Sequence, residues 1–293
     1  MIRKFGLVVA LAAAISTPAL AQQQTQADDK VVIEGRQLED AVRDFVAEVA
    51  AAPKGSNLAR WDRKVCVGEL NLRPEYAQKL IDHVSLVAVA VGLEPGEPGC
   101  RPNILILADS NGDDLATRLV AKNPRAFQPD YASTNLGSKA LSRFETSHAP
   151  VRWWHISETV LADSGKPAMQ GQSVLVRRAS RLRGNVREDL AHALIILDTS
   201  RIGSISFGSL CDYVAMVALA QVDAQADMGK FRSILNLFSE KADNRTIRMT
   251  QWDLDYLEAL YKTPGDDIST RDNARHIARD MLDRQLKADG GGR

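Results

Sequence analysis

Cysteine, aromatic residues and net charge are all scarce in this chain. Three cysteines stand among 293 residues, Phe, Trp and Tyr make up 5% of them, and 37 Lys and Arg balance 37 Asp and Glu. Three thiols are too few for a disulfide-dense miniature scaffold, so the fold must rest on an apolar core, for which the length is ample. Balanced charge gives no electrostatic footprint for a nucleic-acid partner. After Gln22 no apolar stretch approaches the about 20 residues that span a bilayer, so no transmembrane segment is expected in the mature chain. Familiar catalytic motifs are missing too. Ser204 and Ser206 are flanked by no G-x-S-x-G elbow, no loop matches a phosphate cradle, and His83, His148 and His276 are scattered without metal spacing. His192 and Asp198 fall in one predicted strand, about 20 Å apart at roughly 3.3 Å per residue, and cannot form a dyad.

What is present begins with a targeting signal. Met1-Ile2-Arg3-Lys4 leads an apolar run from Phe5 to Ile15, and Ala19-Leu20-Ala21 follows before Gln22. A basic start, a short apolar middle and an A-x-A site make residues 1–21 a secretory signal peptide, with a retained anchor as the alternative. Its style points to the periplasm of a Gram-negative bacterium, or to secretion. Losing Arg3 and Lys4 leaves the mature chain mildly acidic. Residues 22–30 are polar and read as a disordered linker, 31–287 as a single globular domain, and 288–293 as a disordered tail. In an oxidising compartment Cys66, in a predicted strand, and Cys100, just before another, can pair, while Cys211 reads as a buried free thiol.

Periodicity supplies the elements. Short strands are expected at 31–33, 64–69 and 103–107, and helices at 37–50 and 74–91, the latter opened by Pro74. Helices 115–121 and 139–144 follow, then strands at 151–156, 173–182 and 191–197, with Gly184-Asn185 suggesting a hairpin between the last two. The remainder reads as helix: 210–222, 231–238, 251–261 and 271–286, with Ser209 and Thr270 as N-caps of the first and last. The fold class is therefore α+β (mixed α/β): a twisted mixed sheet with a helical C-terminal half.

Three local patterns invite chemistry. Pro150-Val-Arg-Trp-Trp-His155 is the most unusual. On a strand, Val151, Trp153 and His155 share one face and Arg152, Trp154 and Ile156 the other. One tryptophan belongs to the core, and the other is free to stack on a sugar or a peptide, with Arg152 or His155 supplying polarity. Asp109, Asn111 and Asp113 follow the first half of a calcium loop, but Asp114 and Val120 stand where Gly and Glu are needed, so a capping turn is the simpler reading. Arg177, Arg178, Arg181, Arg183 and Arg187 line a basic hairpin, read as protection of a solvated strand rather than as an anion surface.

The last stretch is Ser209-Leu-Cys-Asp-Tyr-Val-Ala-Met-Val-Ala-Leu219, a helix apolar nearly all round. H-E-x-x-H proteases set two histidines four apart on such a helix to hold zinc, with the Glu as base. Asp212-Tyr-Val-Ala-Met216 falls where that core would be. Ser233-Ile-Leu235 resembles the Ser-Ile-Met of the Met-turn that follows it. Thr250-Gln-Trp-Asp253-Leu254, with Leu257, Leu260 and Tyr261, resembles the final helix. Over roughly 191–261 the chain thus resembles the matrixin-like metzincins, as do certain secreted bacterial proteins with the same tail and a similarly eroded helix. The resemblance implies a zincin-like scaffold, with an unrelated α+β core as the alternative. It also places Asp212, Met216 and Val222 at the ligand positions and Tyr213 at the base position. A thioether is a poor zinc ligand and an isopropyl group is none. No metal site and no cofactor are expected, and zinc proteolysis is excluded on that set. The expected function is binding of a protein or peptide partner through Arg152, Trp153 and Trp154. The alternatives are a structural envelope protein or a hydrolase using Asp212, Tyr213 and His155.

Overall fold

The computed structural model describes residues 35–53, 56–130, 136–168, 183–239, 246–266 and 269–290. The predicted strands at 31–33 and 173–182, the signal peptide and Arg177, Arg178 and Arg181 lie outside them. Gly35–Arg293 forms one unit by its internal contacts. Its elements in chain order are helix α1 (Gly35–Val49), strand β1 (Val67–Leu70), α2 (Pro74–Ala90), β2 (Ile104–Asp109), α3 (Gly112–Lys122), α4 (Pro124–Phe127), α5 (Gly137–Thr146), β3 (Val151–Leu161), β4 (Val186–Asp198), α6 (Phe207–Leu219), α7 (Gln251–Lys262) and α8 (Thr270–Gly290). The mixed α/β class is as expected, and the last helix continues past Leu286. Among the described residues no helix is long and apolar enough to cross a membrane.

The sheet has the order β1-β2-β4-β3. β1, β2 and β4 run parallel, with Val67 opposite Ile104 and Ile106 opposite Ile195, and β3 runs antiparallel to β4, with Trp153 opposite Ile195. The two central strands are near-continuous apolar runs because both of their faces are covered. On one face Leu107, Ile196, Trp154 and Ile156 pack against Ala116, Val120, Phe127, Leu141 and Phe144 from α3, α4 and α5. On the other, Ile104, Ile106, Ile195 and Leu197 are buried on the side where α6 lies. Cys66 and Cys100 form a disulfide that ties the entry of β1 to the loop before β2. Closing a loop of that length contributes roughly 3–4 kcal/mol.

α6 is buried from Ser209 to Leu219, the environment that a helix apolar on all sides requires. Its ends are satisfied by side chains. Ser206, not Ser209, is the N-cap: its Oγ accepts the Ser209 N–H, and the Ser209 hydroxyl turns back to Ser206 at 2.7 Å. At the other end Trp61 Nε1 donates to the Ala218 carbonyl (3.0 Å), His155 Nε2 to Val217 (2.8 Å) and the Tyr261 hydroxyl to Leu219. The helix stops at Leu219, so Val222 lies beyond it in extended chain, bridged to Ala50.

Two further expectations are corrected. Residues 231–238 carry helical spacing but form only a short 3-10 turn at Ile234–Asn236, after another at Met228–Lys230. Asp253 takes the Ile234 N–H (2.9 Å) and the Ser233 hydroxyl (2.5 Å), and the Asn236 amide donates to the Met228 and Phe231 carbonyls, so side chains claim the groups a helical ladder would use. At α8 the Ser269 hydroxyl accepts the Asp272 N–H, while Thr270 donates to the Ser56 carbonyl. The Thr250–Asp253 capping box opens α7 as the sequence suggests.

Candidate functional site

β3 alternates as its sequence requires, and its two faces do different work. Trp154 is buried, its indole N–H donating to the Phe127 carbonyl at 2.9 Å and its ring packing on Phe144. Arg152, on the same face, is also buried. It donates to the carbonyls of Phe144 (3.2 Å) and Glu145 (3.3 Å), capping the C-terminal turn of α5, and pairs with Asp113 in the first turn of α3. Arg152 is therefore a rivet between strand and helices rather than a hand held out to a ligand. Asp113 also meets Arg201 (2.7 Å) and His148 (2.7 Å). The Arg201 hydrogen bond above all, against the cost of burial and with help from Arg152 and His148, holds the Asp113 carboxyl far below the usual range.

The opposite face points toward α6. Trp153 is half-buried; its N–H donates to the Val222 carbonyl (3.0 Å) and its ring meets Tyr213 edge-on, 6.1 Å between centroids. Tyr213 meets Phe238 in the same way at 5.0 Å. His155 is buried, and because its Nε2 lies against a carbonyl, that nitrogen carries the proton. Burial pulls its pKa down to about 4, partly opposed by the Val217 carbonyl, so the ring is neutral near pH 7. Burial pushes the Tyr213 hydroxyl well above its ordinary value and the Cys211 thiol up to about 11.

A cleft of ≈ 440 Å³ opens at this strand, and its lining contains Val151, Trp153 and His155 from one face of β3 together with Arg152 and Trp154 from the other. Since β4 occupies the inner side, a cavity touching both faces straddles the outer edge of β3. Tyr213 adds to the floor. Ala140 and Arg143 of α5 form one wall, and Ala50–Ala52 with Val222–Gln225 form the other. Sequence reasoning found the floor but missed the walls. Arg143 looks like any solvent-facing helical arginine, and the alanines carry no chemical signal. A second hollow, of ≈ 620 Å³, lies near Trp61 and Tyr261, and its ionic groups are paired off: Lys64 with Glu94 (2.5 Å), Arg284 with Glu258 and Lys262 with Asp280 (2.7 Å).

Asp212 faces away from the cleft. Its carboxylate meets His83 Nε2 of α2 at 2.6 Å and Arg248 Nε at 2.7 Å, and accepts the Met249 N–H at 3.0 Å. Burial opposes its ionisation, but hydrogen bonds from His83, Met249 and Arg248 outweigh that and hold its pKa below the ordinary value. Asp212 therefore bridges three segments: α6, α2 and the chain before α7. The structure brings His155 and Tyr213 to one cleft with the tryptophans and sets Asp212 apart from them. Met216 is fully buried. Among the described residues no group of three or more His, Cys, Asp or Glu is arranged to hold a metal ion. At the calcium-like loop, Asp109 accepts the Asn111 N–H and Asn111 caps α3 through the Asp114 N–H. Of the basic hairpin, Arg183 pairs with Asp266 and Arg187 with Asp62 and Asp189.

Comparison with protein-family models, with curated proteins and with solved structures gives no match for this chain.

Proposed function

We propose that this chain is an exported, non-catalytic protein that captures an extended peptide or partner segment in the β3 cleft. The observation that carries the reading is the cleft's position astride an edge strand. Among the described residues no strand pairs with the outer edge over Val151–Ile156. Further along the same edge the chain itself adds on, the Leu161 N–H donating to the Lys166 carbonyl (2.8 Å) and the Ala168 N–H to the Thr159 carbonyl (2.9 Å). An unpaired stretch of such an edge offers alternating N–H and C=O groups to an added strand, while pockets on either side read its side chains. Trp153 and Tyr213 form an aromatic floor suited to such a side chain.

The scaffold is a degenerate zincin-like one. Its support is that the segments carrying the resemblance are bonded to one another: Ser233 and Ile234 to Asp253, and Tyr261 to the end of α6. The signal-like N-terminus and the Cys66–Cys100 disulfide support export. Hydrogen exchange tests the binding reading, with a reduced, carboxymethylated polypeptide as the probe. Amides of Val151–Ile156 should exchange more slowly when the probe is added, and the probe should remain uncut. Unchanged exchange with cleavage of the probe would favour a hydrolase instead.

A further inference from the structure

The cleft carries few ionisable groups, and most are committed. Arg152 is paired with Asp113, and His155 donates to Val217. Asp223, exposed on the far wall, is committed in part: one oxygen, Oδ1, accepts the Gln225 N–H at 2.9 Å. Arg143 differs. It is exposed on the α5 wall, and among the described residues its guanidinium meets no carboxylate or other hydrogen-bonding partner. A guanidinium is a fixed fork of donors matched to a carboxylate, and the pairing gains strength beside apolar surface that excludes water. That surface is at hand: Trp153, Tyr213 and Phe144 line the same cleft. The walls between are built of Ala50, Ala52, Ala140, Ala149 and Ala224, whose single methyl groups leave room for a ligand side chain to reach the floor.

We infer that the cleft selects peptides that seat an apolar side chain against Trp153 and Tyr213 and present a carboxylate to Arg143. The inference rests on the peptide-binding reading and adds the chemistry of the ligand. Arg143 and Asp223 stand on opposite walls, so the two charges also give the site a direction. The ligand's acidic group lies toward α5, and its N–H or cationic group toward Asp223.

A displayed library of random linear peptides, panned on the full disulfide-bonded protein, tests this. Selected sequences should pair an apolar residue with Asp or Glu. A synthetic copy of one should lose about tenfold in affinity or more when its acid is changed to the amide, or when the protein carries Arg143→Gln. Arg143→Glu should redirect selection to Lys and Arg. Ala140→Phe fills the cleft and should abolish binding; Ala224→Trp, on the exposed far wall, serves the same end if Ala140→Phe lowers the melting temperature. Binders blocked by either filling variant but indifferent to Arg143→Gln would overturn the carboxylate assignment and leave the peptide reading standing. A library yielding no binder that a filling variant blocks would overturn both.

Discussion

Asp212 and Tyr213 are neighbours in sequence and occupy opposite situations. Successive residues of a helix point about 100° apart, so one step along α6 turns from the α2 side to the cleft side. On the Asp212 flank every oxygen has a partner: His83, Arg248 and the Met249 N–H close around one buried carboxylate. On the Tyr213 flank the ring meets Trp153 and Phe238 and opens on a cavity. The comparison teaches where binding capacity survives. A buried polar group that is fully satisfied internally has nothing left to offer a ligand. Aromatic surface needs no such satisfaction and can remain at a cleft.

The largest effects should separate the two faces of β3. Trp154→Ala removes a core ring and its hydrogen bond, and should cost about 4 kcal/mol, whereas Trp153→Ala, at a half-buried position, should cost about 2 kcal/mol. Urea denaturation measures both, and equal losses would break the distinction between core and cleft tryptophan. Next comes the sealed flank. Asp212→Ala leaves His83, Arg248 and the Met249 N–H without their acceptor and should cost about 3 kcal/mol. Peptide capture at the cleft should persist in the folded fraction. A stability loss under about 1 kcal/mol would mean that the cluster is a surface ion pair of little consequence.

Mild acid should reach the cleft flank first. His155 protonates near its ordinary 6.5 in the unfolded chain but only at about 4 in the folded one. Between those values the unfolded state binds more protons, so stability falls with falling pH across that window, by roughly 3 kcal/mol in total. His155→Gln retains an N–H for the Val217 carbonyl and does not titrate, so it should flatten the loss. Asp212 behaves in the complementary way. Its folded pKa lies below the ordinary value of 3.8, so its contribution is full above that value and disappears as pH falls through the depressed one. The fall in urea midpoint between pH 7 and 4 should therefore be flattened by substitution at 155 and left nearly unchanged by substitution at 212, which lowers all the midpoints alike.

Much of the fold was legible because single segments encode it. Residues 103–107 read as a parallel strand and form most of β2, Pro74 opens α2, and Thr250–Asp253 caps α7. Cys66 in one predicted strand and Cys100 just before another made their pairing available, and the structure forms it. The misses share one cause: a local signal claimed by a distant partner. Ser209 with Asp212 imitates a capping pair, but the carboxylate is taken by His83 and Arg248, and Ser206 caps instead. Residues 231–238 have helical spacing, but Asp253 holds the turn open. The cleft was half legible. Arg152, Trp153, Trp154 and His155 stand together in sequence, whereas Arg143, Ala50–Ala52 and Asp223 reach it only through the packing of α5 and the chain beyond α6. The roles of Arg152 and His155 inverted for the same reason. Each looked available for a ligand, and each serves a helix terminus, Arg152 that of α5 and His155 that of α6.

The smallest expected effect bears most directly on catalysis. The Tyr213 hydroxyl has no hydrogen-bond partner among the described residues, so Tyr213→Phe removes no bond within the fold. Stability should shift by no more than about 0.5 kcal/mol. The ring is retained, and with it the contacts to Trp153 and Phe238, so a ligand seated on the aromatic floor should bind nearly as before. A phenol held well above its ordinary pKa by burial is a poor base near pH 7. If purified protein nonetheless cleaves a general peptidase substrate and Tyr213→Phe abolishes the cleavage without altering binding, then the hydroxyl is chemical, and the cleft flank is an active site rather than a docking site. Retained binding with no hydrolysis in either form leaves the aromatic ring, and not its oxygen, as what α6 contributes to the cleft.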